Sequence, residues 1–382
     1  MNNVSDFTED LEMKVGRPTQ LKIDLQQYRE NLKMIQSNVK TKVMAVIKAN
    51  AYGHGISSIA KAGEDLVDFF GVAVLEEAMQ VRVAGVEKPI LVLGFVNPNQ
   101  LPYVVSKGIH IPIYSYDQWL SWKQVVRKYK FKENLYVHLK INSGMNRLGF
   151  KDETELLKVV NEIDLESGVV IKGIFTHFAT ADIPNHLLIE KQEKTFLNLI
   201  DKIDKKDVII HIANSAYALS RNNANLFDMI RLGASSYGIL PDPLLKDKLS
   251  VLPKPILKLE TRIVAVQTLM EGDCVGYGAT YIAKKNEKIG IIPIGYADGL
   301  LRRYTKDSYV LINGEKRKLV GRICMDQAMV LLEEKDNVWD EVVIYGKQKE
   351  EEITLEMAGK WSDTINYEIV CLLSERIQRV YT

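Results

Sequence analysis

From about residue 43 to 233, short runs of β-branched and apolar residues alternate with longer stretches of mixed polarity. Eight runs have strand character: 43–48, 69–74, 90–94, 110–114, 135–141, 169–178, 208–213 and 228–233. Helical spacing fills most of the gaps, most plainly over 76–85, 115–130 and 186–203. Strands alternating with helices predict parallel βαβ units. Eight of them in roughly 200 residues fit a closed (β/α)8 TIM-like barrel, with an open doubly wound sheet as the runner-up. After about residue 250 the texture becomes strands and turns with few helices, and the Asn313–Gly314 pair between apolar runs predicts a hairpin. A mostly β domain is therefore expected, with a short helix over 354–363 and a closing segment. Prolines in the stretch 249–255 place the boundary there, giving a barrel domain over 1–252 and a β domain over 253–382.

Composition narrows the picture without changing it. The 382 residues are 46% hydrophobic and 26% charged, with a formal net charge of +1. That balance gives no reason to expect nucleic acid or a charged membrane surface as partner. The N-terminus is polar and acidic, and no run approaches 18 apolar residues, so neither a secretory leader nor a membrane span is expected. Cys274, Cys324 and Cys371 are too few and too far apart for a disulfide framework or a zinc knuckle. No metal site is predicted, and a reducing cytoplasm is the expected compartment.

In a parallel barrel the chemistry gathers at the C-terminal ends of the strands. Lys48 is expected at the end of the first strand, and Lys140 near the end of the fifth, with Arg147 just beyond. His177 follows the sixth, His211, Asn214 and Ser215 the seventh, and Arg231 and Gly233 the eighth. Each alone reads as an ordinary loop or core residue; their collection at one end does not. Loops after the seventh and eighth strands are the usual phosphate site, where Asn214, Ser215 and the N–H groups of Gly233 and Ala234 can meet an anion. A lysine opposite such a site suits a phosphate-bearing aldehyde held as a Schiff base.

The string AVIKANAYGHG (45–55) resembles the cofactor-lysine motif of the alanine racemase family. Further blocks resemble that family in family order: HLKINSGMNRLGF (138–150), GIFTHFATAD (173–182), HIANSA (211–216), MIRLGASSYGILP (229–241), VGYGATY (275–281), IPIGYADG (292–299), GRICMDQ (321–327) and TINYEIVC (364–371). The resemblance covers nearly the whole chain beyond residue 17. It implies a barrel followed by a β domain, pyridoxal 5'-phosphate as cofactor, and interconversion of L- and D-alanine, supplying D-alanine for peptidoglycan. It further implies a head-to-tail homodimer with shared sites. Lys48 would hold the cofactor and serve as base toward the D-enantiomer, and Tyr277 of the other chain as base toward the L-enantiomer. Tyr52, Tyr367, Ser215, Gly233 and Ala234 would hold the phosphate. Arg231 would face the pyridine nitrogen, and His177 would reach toward Tyr277. Arg147 and the backbone of Met325 would hold the substrate carboxylate. Lys140 matches a lysine often carbamylated in the family, where it orients the arginine matched by Arg147. Asp182, Tyr296, Arg302 and Arg322 match residues of the family's entryway.

One departure stands out. After the lysine matched by Lys140 the family commonly reads Asp-Thr-Gly-Met, whereas this chain reads Asn142-Ser143-Gly144-Met145. Removing that carboxylate alters the charge near Lys140 and Arg147 and puts the carbamylation in doubt, but leaves the pair Lys48 and Tyr277 untouched. Three other readings compete: a serine or broad-specificity racemase of the same family, a pyridoxal-phosphate decarboxylase on a related barrel, and a non-catalytic cofactor carrier. The block around Tyr277 weighs against the last two.

Overall fold

The computed structural model describes residues 16–183, 186–204, 206–221, 225–240, 246, 250–304 and 307–382. The N-terminal stretch read above for a leader lies outside them. The chain divides into two compact units: Leu25–Ile256, and the residues through Asp24 together with Leu257–Thr382. This differs from the expected division at 252/253. The first strand, β1 (Gln20–Ile23), pairs antiparallel with β10 (Leu257–Arg262) and parallel with β20 (Gln378–Tyr381), so it belongs to the C-terminal sheet.

Unit Leu25–Ile256 is the (β/α)8 barrel. Its strands are β2 (Lys42–Val46), β3 (Phe69–Val72), β4 (Ile90–Val92), β5 (Ile109–Ile113), β6 (Leu135–Lys140), β7 (Val169–Phe175), β8 (Ile209–His211) and β9 (Met229–Leu232). They run parallel in the order β8-β7-β6-β5-β4-β3-β2-β9. All eight expected strands are present, each within a few residues of its expected span. Both faces of β3, β4 and β5 are buried, as a parallel sheet covered by helices requires. Two of the helices start where the sequence supplies caps: Ser115 accepts from Gln118 N at 3.2 Å and Asp152 from Glu155 N at 2.8 Å. Helix Tyr116–Tyr129 buries Trp119, Trp122 and Val126, and Glu153–Asp164 buries Leu156, Val159, Val160 and Ile163. Each such side chain contributes about 1.5–3 kcal/mol of burial.

The other unit holds a ten-stranded sheet built around β11 (Ala265–Leu269), β14 (Glu287–Ile292), β15 (Tyr309–Ile312), β16 (Glu315–Val320), β17 (Ala328–Leu332) and β18 (Glu341–Gln348), with β10, β1 and β20 beyond β18 and β19 (Glu351–Ile353) paired to β18, and a two-stranded ribbon of β12 (Cys274–Val275) and β13 (Tyr281–Ile282). The predicted hairpin is present: β15 and β16 pair through Ile312 and Glu315, and Asn313 and Gly314 take φ of 56° and 82°, as a two-residue turn of this twist requires. The helix expected over 354–363 is present as Leu355–Trp361, and a second short helix, Asn366–Cys371, follows it.

Arg17 explains why the chain's start stays with this unit. Its two terminal nitrogens donate at 2.8 Å to the two oxygens of Asp298, whose side chain is fully buried. Asp298 also accepts from Gly295 N at 3.0 Å and thereby shapes the turn Tyr296–Asp298. Arg17→Met leaves that carboxylate with the Gly295 N–H and, among the cations of the described residues, only the longer contact to Arg376 at 3.6 Å. It should lower stability by roughly 2–4 kcal/mol. Urea unfolding followed by tryptophan fluorescence checks this; an unchanged midpoint would show that the pair contributes nothing.

Candidate active site

Lys48 does not end a strand. β2 stops at Val46, and Lys48 opens a tight turn in which Ala49, Asn50, Ala51 and Tyr52 all have φ of 52° or 53°. Left-handed helix costs L-residues roughly 1–2 kcal/mol each, so the surroundings must enforce it. Ala51 N bonds Ile47 O at 2.8 Å, Gly53 N bonds Ala49 O at 2.9 Å and Gly55 N bonds Asn50 O at 2.9 Å. Glu77 accepts from Ala49 N at 2.6 Å and from Ala73 N at 2.7 Å, tying this turn to the loop after β3. Nδ1–H of His54 donates to the carbonyls of Ala51 and Tyr52 at 2.9 and 2.8 Å. The rings of His54 and Tyr52 both pack on Tyr237, at 4.7 and 5.1 Å between centroids. The result fixes Lys48 and Tyr52 on one rigid turn at the barrel mouth.

Across the mouth, Ser215 opens the helix Ser215–Ser220 after β8, and Gly233 precedes the 3-10 turn Ala234–Tyr237 after β9. Gly233 N donates to Ser215 Oγ at 2.9 Å, so that N–H is already used, while Ala234 supplies the first N–H of the turn. Asn214 spends its side-chain oxygen capping the helix, accepting from Tyr217 N at 3.0 Å. A Cβ on residue 233 would lie 2.8 Å from the Tyr52 hydroxyl. Only glycine lets Tyr52, Ser215 and the 233–234 backbone meet in one cup.

Cations surround the cup. Arg231 is 4% exposed and donates to the carbonyls of His211, Thr176 and Ile212 at 2.5, 2.6 and 3.2 Å, and to Nδ1 of His177 at 3.2 Å. Burial lowers it to about 9, which leaves it cationic at neutral pH. His177 is held well below its usual range by burial first, then by the charges of Arg231, Arg147, Lys48 and Lys140. No carboxylate forms an ion pair with Arg231, Lys140 or Arg147 among the described residues. Such a cavity seeks anions. Beside it, Asn142 Oδ1 accepts from the N–H groups of Gly144 and Asn146 at 3.2 and 2.9 Å. An aspartate oxygen could take the same bonds, so the family departure keeps the loop fold and removes only the charge.

In the C-terminal unit three of the expected blocks converge. The N–H groups of Tyr296 and Ala297 donate to the carbonyls of Cys324 and Met325, each at 3.0 Å. Tyr277 opens a 3-10 turn flanked by Gly276 and Gly278, and a Cβ on residue 278 would meet the Arg322 guanidinium at 3.1 Å. Tyr277 is 70% exposed and Met325 53%. Arg302 and Tyr296 line a cavity of about 410 Å³ with Glu368 and Leu372, and Tyr367 lies on the helix beside it. Asp182 is exposed in the loop after β7. Sequence reasoning missed Glu77, His54 and the buried histidines His110 and His138. Histidine at inward positions of apolar strands was the available signal for the last two.

Family models for the alanine racemase N-terminal and C-terminal domains match residues 23–241 and 256–381. The barrel and β unit are thus those of an amino-acid racemase class of isomerases. The chain belongs to the alanine racemase family. An alanine racemase of Streptococcus equi subsp. zooepidemicus is 39% identical over 371 residues, spanning 96% of this chain and 98% of its own. The crystal structure of alanine racemase from E. faecalis aligns with a TM-score of 0.90 and 37% identity, covering 96% of this chain and 98% of that one. A histidine racemase from Leuconostoc mesenteroides subsp. sake aligns with a TM-score of 0.88 and 27% identity over 96% of this chain and 98% of its own.

Lys140 gives a test of the cationic cavity. Burial, and after it the charges of Arg147, Arg231 and Lys48, lower its ammonium from 10.5 to about 8. The folded state holds this proton more weakly than the unfolded chain. The penalty is therefore fully present below pH 8 and is relieved as pH rises toward 10.5. Lys140→Met should be more stable than wild type at neutral pH by on the order of 3 kcal/mol. That advantage should shrink as pH climbs through this window, in cofactor-free protein and carbon dioxide-free buffer. Urea midpoints measured stepwise in pH check this, and a pH-independent difference would contradict it.

Proposed function

We propose that this chain interconverts L- and D-alanine by a two-base mechanism, with pyridoxal phosphate held in the barrel mouth. One observation carries the reading: Lys48 and Tyr52 share a turn, and the Tyr52 hydroxyl reaches residue 233, whose N–H bonds Ser215 Oγ, in a cup open only because residue 233 is glycine. Those donors fit a phosphate, and Lys48 fits the aldehyde. Tyr367 joins the phosphate set, and Asn214 supports it by capping the helix of Ser215. Bound pyridoxal phosphate supplies an electron sink for the carbanion left when an α-proton is removed.

The chain's own residues do the rest. Arg231 keeps its proton; it would donate a hydrogen bond to the cofactor's ring nitrogen and supply no proton there, which would weaken the sink and limit side reactions. Arg147 and the Met325 backbone bind the substrate carboxylate. Lys140 orients Arg147. Its amine, lowered to about 8 beside three other cations, is also a suitable nucleophile for carbon dioxide, and a carbamate there would find counter-charges. Racemisation needs proton removal on one face and delivery on the other, and Lys48 and Tyr277 are the two bases. Tyr277 stands 70% exposed, and Met325 and Ile282 are 53% and 55% exposed. A base needs a surrounding that tunes it, and a second copy of the chain would provide one. Asp182, Tyr296, Arg302 and Arg322 line the approach. A cytoplasmic role supplying D-alanine for peptidoglycan accords with three cysteines that form no disulfide.

A second reading, racemisation of another or a broader set of amino acids, is favoured by the similarity to a histidine racemase. One methylene or hydroxyl in a pocket shifts selectivity by only about 1–3 kcal/mol. Comparing kcat/KM for alanine, serine and histidine separates the two.

Two experiments test the pairing of bases. Mixed Lys48→Ala and Tyr277→Phe chains, each inactive alone, should recover a fraction of wild-type activity on subunit exchange, because each heterodimer contains one intact site. Verified exchange without recovery would refute the shared site.

Tyr277→Phe should also damage the two directions of isotope exchange unequally. In deuterated water the variant should still wash the α-proton out of D-alanine through Lys48. Washout from L-alanine should fall by ~10²–10⁴-fold, the contribution of a positioned general base. Faster exchange of L-alanine than of D-alanine would reverse the assignment of faces, and equal loss of both would give Tyr277 a binding role instead.

A further inference from the structure

The barrel interior contains a polar file that the roles above do not use. His110 Nδ1 lies 3.0 Å from His138 Nε2, His138 Nδ1 lies 3.0 Å from His211 Nε2, and His211 Nδ1 lies 3.1 Å from the Arg231 guanidinium. His110 is 7% exposed, and His138 and His211 are fully buried. His110 is the second residue of β5, His138 the fourth of β6 and His211 the last of β8. The file therefore climbs from near the N-terminal end of the strands to the guanidinium at the mouth. At its lower end His110 lines a cavity of about 520 Å³ with Arg82, Lys107 and Tyr136.

The strand between His138 and His211 makes room for this file. β7 separates β6 from β8, and its residue 173 is glycine; a Cβ there would lie 2.2 Å from His138 Nδ1. That nitrogen is the one facing His211. Any larger residue at 173 would interrupt the file.

Direction follows from the chemistry of arginine. A guanidinium only donates, so His211 Nδ1 accepts, and a neutral His211 must carry its proton on Nε2. His138 Nδ1 then accepts and His138 Nε2–H donates to His110 Nδ1. His110 in turn carries its proton on Nε2. Burial keeps all three rings neutral, with His110 lowered to about 4 by burial and then by the charges of Lys172 and Arg82.

We propose that His110 is a positioning residue for Arg231: it ends a one-way chain of three neutral Nε2–H imidazoles that holds the guanidinium in the orientation it presents at the barrel mouth. The consequence for catalysis rests on the racemase reading above; the chain of tautomers does not. Without an acceptor at residue 110, the His138 Nε2–H is buried and unpaired. His138 cannot escape by switching tautomer, because its Nδ1 already accepts from His211. The strain passes up the file to Arg231.

The test uses the full chain labelled with ¹⁵N-histidine, with and without pyridoxal phosphate, read by long-range ¹H–¹⁵N correlation. In wild type, His110, His138 and His211 should each be neutral and protonated on Nε2 at neutral pH. A ring in the Nδ1–H tautomer or a cationic ring overturns the chain whatever the protein catalyses. His110→Leu should shift the His138 and His211 signals. It should also lower kcat roughly tenfold in both directions with little change in KM, the effect of one unpaired buried donor. His110→Asn places an acceptor oxygen where Nδ1 stood and should restore both signals and rate. Wild-type signals and kcat in His110→Leu would overturn the positioning role. So would a His110→Asn variant that folds but matches the leucine variant in both. Should His110→Leu not fold, the wild-type tautomers and His110→Asn still decide. Normal tautomers in a protein without racemase activity would sink the functional reading and leave the chain standing.

Discussion

Among the described residues no continuous ladder joins β8 to β9, and Arg231 does much of the joining. An isolated bridge pairs Asn214 with Arg231, and Arg231 N reaches Ala213 O at 2.9 Å. Its side chain then donates to carbonyls that follow β7 and β8, those of Thr176 and Ile212, and to that of His211 itself. Charge-assisted bonds of this kind are worth about 1.5–3 kcal/mol each, and several are needed to offset the desolvation of a buried cation. One residue therefore helps close the barrel, fixes His177 and His211 as acceptors, and sets a positive charge at the mouth.

The same choice governs the ligand. Lys48, Lys140 and Arg147 add to the charge of Arg231; burial first, and then the charges around them, lower His177 and Lys140. No described carboxylate pairs with the last three. The phosphate and amino-acid carboxylate of the proposed function would balance that charge, and Asn142, in place of the aspartate that the family resemblance leads one to expect, preserves the excess. The loop nonetheless keeps its shape, because Asn142 supplies the same acceptor to Gly144 and Asn146.

Much of this was legible in the sequence. Apolar runs located every barrel strand, and Asn313–Gly314 located a hairpin. Of the residues expected at strand ends, Arg231, His177 and His211 are brought together, whereas Lys48 opens a turn beyond β2. The turn Ala49–Tyr52 was not legible, because three of its four residues have no preference for positive φ; Glu77 and His54, distant or unremarked in sequence, enforce it. The assignment of β1 was missed because its partners are over 200 positions away, a nonlocal pairing that no local pattern encodes. The histidine file was missed for a related reason. Its members sit singly on three strands, and only the glycine at 173 on the strand between two of them reveals that they touch.

The account turns on Arg231 remaining a cation that donates and never yields its proton at neutral pH. The most direct measurement is the ¹⁵N resonance of the pyridine nitrogen in protein loaded with ¹⁵N-labelled pyridoxal phosphate, followed across neutral pH. The account predicts an unprotonated nitrogen throughout in wild type. A protonated pyridinium at neutral pH would contradict it.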